Sequence, residues 1–103
     1  MPKHKNTITV DQSIANINKI LAQFKELIML VNDNKFADRL KELSELVEYA
    51  NPTTDGYIAN LDNKISNNLG DLKIQLTTRQ PRHHINFKME TITLLITERN
   101  AKA

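Results

Sequence analysis

The chain has 103 residues, which is enough for one hydrophobic core and too few for two domains. Apolar residues make up 40% of the chain and aromatic residues only 5%, a balance typical of packed aliphatic helices rather than of an aromatic-rich β-sandwich. The formal net charge is +2. Because the chain has no cysteine, a disulfide framework, a thiolate zinc site and a cysteine nucleophile are excluded.

Charge is distributed unevenly along the chain. Residues 1–25 hold four basic and one acidic residues, a net charge of +3. Residues 26–62 hold three basic and eight acidic residues, a net charge of −5. Residues 63–103 hold seven basic and three acidic residues, a net charge of +4. The acidic middle can pair with the basic ends inside a bundle or between chains, or the basic ends can face an anionic partner.

The longest apolar run, residues 27–31, is far shorter than the roughly 18 residues that a membrane span requires. The basic start of the chain leads into no apolar stretch of the kind that a secretory signal contains. We therefore expect a cytoplasmic protein without a membrane segment.

A first helix is predicted at residues 11–31. Thr9 and Gln12 match a capping box at its start. Its apolar residues are spaced alternately by four and three, which places them in one stripe; they are Val10, Ile14, Ile17, Leu21, Phe24, Ile28 and Val31. Ile20, Leu27 and Leu30 widen this stripe, so the helix is expected to be buried over much of its circumference.

A second helix is predicted at residues 34–50. The short polar run at residues 32–34 should end the first helix and cap the second, and so short a connection requires antiparallel neighbours. Asn51 and Pro52 end the second helix, because the residue before a proline is driven out of the helical region. Its apolar stripe consists of Phe36, Leu40, Leu43, Val47 and Ala50.

The third segment, residues 54–79, admits two interpretations. Three apolar pairs, of which Ile58 and Leu69 are one, lie eleven residues apart, which indicates one long and nearly straight helix. Gly70, however, follows two asparagines and a leucine, a pattern typical of a helix end. If the helix ended there, the alternating Leu72, Ile74 and Leu76 would favour a strand.

The fourth segment, residues 83–98, carries the same ambiguity. Ile85, Met89, Ile92 and Ile96 fit one face of a helix after Pro81. Residues 91–97 are rich in threonine and isoleucine, which also suits a strand. The alternative to four helices is therefore an α+β fold, with three helices followed by a C-terminal β-hairpin at about residues 72–97.

We predict an all-α fold, a small four-helix bundle built from antiparallel helical hairpins. Residues 1–8 are expected to be a basic tail, residues 9–99 the single domain, and residues 100–103 a C-terminal tail.

The apolar width of the first helix predicts self-association, because a chain this short offers little else to cover it. The residues expected to form the core or an interface between copies lie on the first two helices: Ile14, Ile17, Leu21, Phe24, Ile28, Val31, Phe36, Leu40, Leu43 and Val47.

A polar cluster between the third and fourth segments is the candidate anion or nucleic-acid site. Free backbone donors at a helix start add to side-chain charge and suit a phosphate or carboxylate. The candidate binding residues, including two from the basic tail, are Lys3, Lys5, Arg79, Arg82, His83 and Lys88. A solvated connection between two buried elements accounts for the same residues.

Arg79 and His84, with four residues between them, resemble the Arg-x4-6-His motif of the HEPN family of helical ribonucleases. The resemblance covers six residues, and Gln80 and Pro81 depart from the small polar residue that the family usually has after the arginine. It implies a dimeric helical fold in which Arg79 holds the scissile phosphate and His84 transfers a proton. These two residues are the only catalytic candidates.

Other chemical sites are not indicated. The adjacent His83 and His84 diverge on a helix or a strand, so the pair forms no two-ligand metal site, and we expect neither metal nor cofactor. The acidic residues of the second helix fall outside its apolar stripe and are expected to form a solvated face; they are Asp38, Glu42, Glu45 and Glu48.

These patterns favour a non-catalytic protein-interaction or assembly module, a homo-oligomeric helical bundle with coiled-coil-like packing that docks a further protein partner. The alternatives are an accessory protein that binds nucleic acid through its basic ends and a HEPN-like ribonuclease.

Overall fold

The computed structural model describes residues 7–103, which form four α-helices and no strand. The helices are α1 (Val10–Leu30), α2 (Asn34–Glu48), α3 (Gly56–Thr77) and α4 (Arg82–Lys102). The all-α prediction is confirmed, and the alternative C-terminal β-hairpin is wrong. Residues 72–97 lie in α3, α4 and the short turn that joins them.

Side chains fix the starts of the first three helices. Thr9 and Gln12 form the capping box at α1, each side chain bonding the other's backbone. The Asp33 carboxylate accepts from the backbone N–H groups of Lys35 and Phe36 at the start of α2. Asp55 caps α3 through the N–H of Tyr57, so each of these starts has a local cause in the sequence.

α3 runs through Gly70 and ends at Thr77. Beyond it, Arg79 adopts a left-handed conformation with φ 59°. The N–H of Gln80 donates to the carbonyl of Gln75, and that of Arg79 donates to Leu76. These two bonds form a Schellman motif. The helix therefore ends in a tight turn at Arg79 and not at Gly70.

The ends of the chain differ from the predicted tails. α4 continues to Lys102, past the predicted end at residue 98, because Arg99 is buried and Asn100 donates to the carbonyl of Leu46. At the other end, the N–H of Ile8 donates to Thr54 and Thr7 pairs with Asp55. Residues 1–6 of the predicted basic tail, with Lys3 and Lys5, lie outside the described residues.

The helices form two antiparallel hairpins, α1 with α2 and α3 with α4, packed side by side. Between the hairpins, α1 packs on α3 and α2 lies beside α4. α1 and α3 run in the same direction, since Thr53 bonds Ser13 at one end and Lys73 meets Glu26 near the other. The segment between α2 and α3 therefore crosses the end of the bundle diagonally.

The core lies along the centre of this bundle. On α1 the deepest apolar residues are Ile20, Phe24 and Leu27, each at most 1% exposed, whereas Leu21 and Ile28 are only partly buried. α4 contributes Ile85, Met89, Ile92 and Ile96, which is the helical face that its sequence predicted.

Polar contacts tie the parts of the bundle together. Arg99 and Asp62 are both buried, with Arg99 Nε 2.9 Å from Asp62 Oδ1, and Arg99 also donates to the carbonyl of Asn51. Between α1 and α3, the Ser66 hydroxyl donates to the side-chain oxygen of Gln23 at 2.8 Å. These bonds satisfy polar groups that burial would otherwise penalise.

Candidate interaction surfaces

Two surfaces are candidates for function. The first is the polar corner, residues 79–84 with Lys88, where α3 turns into α4. The second is the outer face of α4, the side of that helix that lies opposite the core and carries Phe87 and Leu94. The four helices place the two surfaces next to each other, because α4 begins at the polar corner.

The polar corner brings together most of the predicted anion-binding residues, but two of its cations already have anionic partners. Arg82 forms an ion pair with Asp33 and lies over the Phe36 ring, with Cζ 4.7 Å from the ring centroid. Lys88 Nζ lies 2.9 Å from Asn68 Oδ1 and 3.4 Å from Asp71 Oδ2. These contacts offset much of the positive charge that the sequence gathers here.

The Arg82 contact also changes the electrostatics of the α2 start. The hydrogen bond that Arg82 donates to Asp33 lowers the pKa of the Asp33 carboxyl, and the N–H groups of Phe36 and Lys35 lower it further. Arg82 thus joins the first turn of α4 to the start of α2.

The two histidines lie in the first turn of α4 and are exposed. Their rings meet edge to face, with centroids 4.4 Å apart and an angle of 72° between the planes. His84 Nδ1 lies 3.3 Å from the side-chain oxygen of Gln80. In this arrangement His84 faces the turn at Gln80. Within residues 7–103, the cationic or titratable groups of the corner without an ion pair are Arg79, His83 and His84.

Arg79 borders a groove of about 460 Å³ between the polar corner and the turn that joins α1 to α2. Arg79, Gln80 and Arg82 line it together with mostly apolar side chains, among them Leu30 and Phe36. A groove of this kind can hold a small apolar group beside a single positive charge.

The outer face of α4 carries two large apolar side chains in solvent. Phe87 is 72% exposed and Leu94 is 70% exposed. Residues two apart on a helix point about 200° apart, and each of these side chains lies two residues from buried neighbours such as Ile85 and Ile92. α4 is therefore apolar on two opposite sides.

The spacing of Phe87 and Leu94 makes them one surface. Seven residues are nearly two helical turns, so the two side chains lie on the same face of α4, and Ala101 follows another seven residues on. A second exposed apolar pair, Leu46 and Tyr49, lies three residues apart at the end of α2, and the two side chains are 48% and 81% exposed. Ile74 on α3 is 61% exposed, but the residue seven positions before it is Asn67.

Near its C-terminal end, the outer face is flanked by groups that bond to α3. The Tyr57 hydroxyl donates to Glu98, which raises the pKa of Tyr57. Lys102 Nζ lies 5.6 Å from the centroid of the Tyr57 ring. The Glu98 carboxylate is therefore held beside the apolar residues of the outer face.

Most of the core or interface residues predicted on α1 and α2 lie inside the bundle. Ile17, Phe24, Phe36, Leu40, Leu43 and Val47 are buried, and Leu21, Ile28 and Val31 are partly buried against the core. Ile14 is 41% exposed and is the one residue of this set left largely open. α3 packs against α1 and covers part of its apolar width, while Leu30, which widens that stripe, is 42% exposed.

The acidic residues of α2 lie on its exposed side; they are Asp38, Glu42, Glu45 and Glu48. Within residues 7–103, no three histidine, aspartate or glutamate side chains lie close enough together to hold a metal ion. No helix in this part of the chain combines the length and the apolarity that crossing a membrane requires.

Sequence reasoning did not single out Phe87 and Leu94 as a surface. A signal was present, because the seven-residue spacing of Phe87, Leu94 and Ala101 runs beside the spacing that predicted the buried face.

The Asp62–Arg99 pair was also missed. The sequence did contain an indication of it. The helical spacing of the buried residues of α4 predicts an apolar residue three positions after Ile96, and Arg99 stands there instead.

Comparison of the chain with protein-family models, with curated proteins and with solved structures finds no match. The two surfaces are therefore interpreted from their own residues.

Proposed function

We propose that this protein is a non-catalytic assembly module, which associates with a second copy of itself through the outer face of α4. The observation that carries the proposal is the pair Phe87 and Leu94, each about seven-tenths exposed and one heptad apart on the side of α4 that faces away from the core. The bundle can already bury one side of each helix, so the second apolar side of α4 is a surface for a partner.

Burial of these two side chains is the driving force in this proposal. Removing a large apolar side chain from water contributes about 1.5–3 kcal/mol. A second copy presents the same two side chains, so one contact buries four of them. Association driven in this way depends on apolar area and should change little with salt concentration.

The test is the molar mass in solution, measured by light scattering during size exclusion at high micromolar concentration. We expect the chain to elute with about twice its mass of 11.8 kDa. The double variant Phe87→Lys/Leu94→Lys should elute as a monomer, because two charges would have to be buried without partners. Circular dichroism should show unchanged helix content, since both side chains lie outside the core.

Ile74→Lys is the matched control. It places the same charge on an exposed apolar position of the neighbouring helix, and its mass should equal that of the wild-type protein. A wild-type protein that is monomeric throughout this concentration range would refute the proposal, and so would a dimer that the double variant leaves intact.

Nucleic-acid binding through the polar corner is the alternative function. The observation in its favour is the exposed Arg79 and His83 beside the start of α4; the ion pairs of Arg82 and Lys88 oppose it. Were these residues phosphate contacts, replacing each cation by alanine would lower the log–log salt slope of binding by about 0.9. In the assembly proposal the same replacements leave nucleic-acid behaviour unchanged.

Arg79 and His84 test the non-catalytic part of the proposal. A ribonuclease needs phosphate stabilisation and proton transfer in one transition state, so either replacement would reduce cleavage strongly. We expect the purified protein not to cleave RNA. RNA cleavage that both Arg79→Ala and His84→Ala abolish, with the fold intact, would replace the assembly proposal with the enzyme.

A further inference from the structure

We infer that the two copies pair antiparallel along α4, with a two-fold axis between Glu90 and Thr91. The inference rests on the proposed function and adds the direction and register of the contact. It follows from the order of residues along the outer face: His83, Phe87, Glu90, Thr91, Leu94 and Glu98.

The apolar residues fix the antiparallel register. An axis between residues 90 and 91 places Phe87 of one copy opposite Leu94 of the other, twice. Moving the register by one heptad in either direction would pair Phe87 with itself or Leu94 with itself. The remaining two large side chains would then lie opposite the residues at positions 80 or 101, a glutamine and an alanine. Only the first antiparallel register buries all four large side chains against one another.

Charge decides between the antiparallel and the parallel arrangement. A parallel pair in register also stacks the apolar side chains, but it places Glu90 on Glu90, Glu98 on Glu98 and His83 on His83 of the second copy. The antiparallel pair places Glu90 opposite Thr91 and His83 opposite Glu98. Two carboxylates directly opposite each other are destabilising, whereas the antiparallel pair gives Glu98 a histidine ring that can donate a hydrogen bond to it, so the antiparallel pair is favoured.

The position of Glu98 supports this pairing. Its carboxylate is held at the outer face by the Tyr57 hydroxyl, which bonds one of its two oxygens. The other oxygen can accept a hydrogen bond from a histidine of the second copy. The helix dipoles add to the same preference, because the antiparallel pair puts the positive start of one α4 near the negative end of the other.

Disulfide cross-linking tests the direction directly, since the natural chain has no cysteine that would interfere. In the antiparallel pair, residues 83 and 98 of different copies lie at the same level, whereas two copies of residue 83 are separated by fifteen residues, about 22 Å along the helix. After mild oxidation, a mixture of His83→Cys and Glu98→Cys chains should form one covalent dimer between the two variants. Neither variant should link to itself.

A single Thr91→Cys variant serves as the control for the interface itself, because this position lies next to the axis and should link to itself in either direction. Self-linking by His83→Cys and by Glu98→Cys, with no product from their mixture, would overturn the antiparallel inference and leave the assembly proposal standing. A dimer in which Thr91→Cys does not link would place the interface elsewhere and overturn both.

Discussion

Arg79 is the residue at which the backbone conformation conflicts most with the side chain. Its φ of 59° lies in the left-handed region, where residues with a Cβ are strained. The Schellman motif at the end of α3 requires this conformation, and glycine is the residue that adopts it freely. An arginine at this position is therefore tolerated by the turn rather than favoured by it.

Arg79→Gly should stabilise the protein by about 1 kcal/mol, because the left-handed conformation then carries no steric cost. The free energy of unfolding, measured by urea denaturation, checks this. Arg79→Ala is the control: it removes the same exposed side chain, keeps the Cβ and should change stability by less than about 0.5 kcal/mol. A gain of equal size in both variants would show that the charge of Arg79, not its backbone, is responsible.

Asp33 links stability to pH. Its pKa lies below its ordinary value of 3.8, chiefly because of the hydrogen bond from Arg82. A carboxyl whose folded-state pKa is lowered contributes stability that is fully present above the unfolded-state value. That contribution is lost as the pH falls from about 3.8 through the lower folded-state pKa.

Asp33→Asn tests this linkage, because asparagine caps a helix as well as aspartate does but carries no charge. The variant should be less stable than the wild-type protein at about pH 7, and the difference should be smaller at about pH 3, below the ordinary aspartate pKa of 3.8. Urea denaturation at both values measures the difference. Asp38→Asn, which alters an exposed carboxylate of α2, is the control. The difference in free energy of unfolding between this variant and the wild-type protein should change much less with pH. An equal change would contradict the assignment to Asp33.

α3 shows how periodicity and local signals can disagree within an element. The eleven-residue spacing predicted one long helix, while Gly70 indicated an end. The long helix is what forms, since Leu69 and Leu72 on either side of Gly70 are both buried in the core. Burial of that stripe outweighs the roughly 1 kcal/mol that a glycine costs inside a helix.

Gly70→Ala should therefore stabilise α3 by about 1 kcal/mol, the difference in helix propensity between the two residues. A Cβ at this position meets no atom within 4 Å, so the added methyl group fits without any shift of its neighbours. The thermal midpoint and the urea midpoint should both rise. A lower midpoint would mean that the helix at residue 70 needs a conformation that alanine resists.

α4 shows why sequence patterns could not settle the last element. Its β-branched run at residues 91–97 suits a strand, yet all of it is helical. With Phe87 and Leu94 outside and Ile92 and Ile96 inside, apolar residues surround the helix, so the contrast between faces that identifies an amphipathic helix is weak. Packing against α3 decides the outcome, because only the helix puts Ile85, Met89, Ile92 and Ile96 on one side.

At the scale of the whole molecule, the buried Asp62–Arg99 pair joins three segments that are far apart in the sequence. Arg99 on α4 bonds Asp62 on α3 and the carbonyl of Asn51 in the diagonal connection. A buried ion pair adds little net stability compared with apolar residues, but loss of one partner leaves an uncompensated charge. We interpret the pair as fixing where the diagonal connection meets the α3–α4 hairpin.

A double-mutant cycle tests this interpretation. Arg99→Met and Asp62→Leu should each destabilise the protein by about 3–5 kcal/mol, because each leaves the opposite charge buried alone. The double variant should lose much less than the sum of the two, and the free energies of unfolding give the coupling directly. Additive losses, within about 0.5 kcal/mol, would show that the two side chains act independently.

The sequence by itself determined the first two helices, their approximate bounds and most of the buried faces, because caps and apolar spacing act over a few residues. The capping box at Thr9, a cap within residues 32–34 and the stripe from Ile85 to Ile96 could all be predicted in this way. For the candidate site, the sequence gathered the polar corner correctly as a group of neighbours along the chain. It could not show that Asp33 and Asp71 would form ion pairs with two of its cations, since Asp33 lies at the cap of α2 and Asp71 lies on α3.

Only the tertiary structure decided which helices are neighbours, and that order determines which surfaces remain open. α1 packs against both α2 and α3, yet Ile14 and Leu30 of its predicted stripe stay 41% and 42% exposed. On the outer face of α4, Phe87 and Leu94 are more exposed, at 72% and 70%. The physical reason is that apolar spacing specifies that a side chain prefers to be buried but not what buries it. The choice of neighbours follows from packing the four helices together at once, with the diagonal connection and the Asp62–Arg99 pair placing one hairpin against the other.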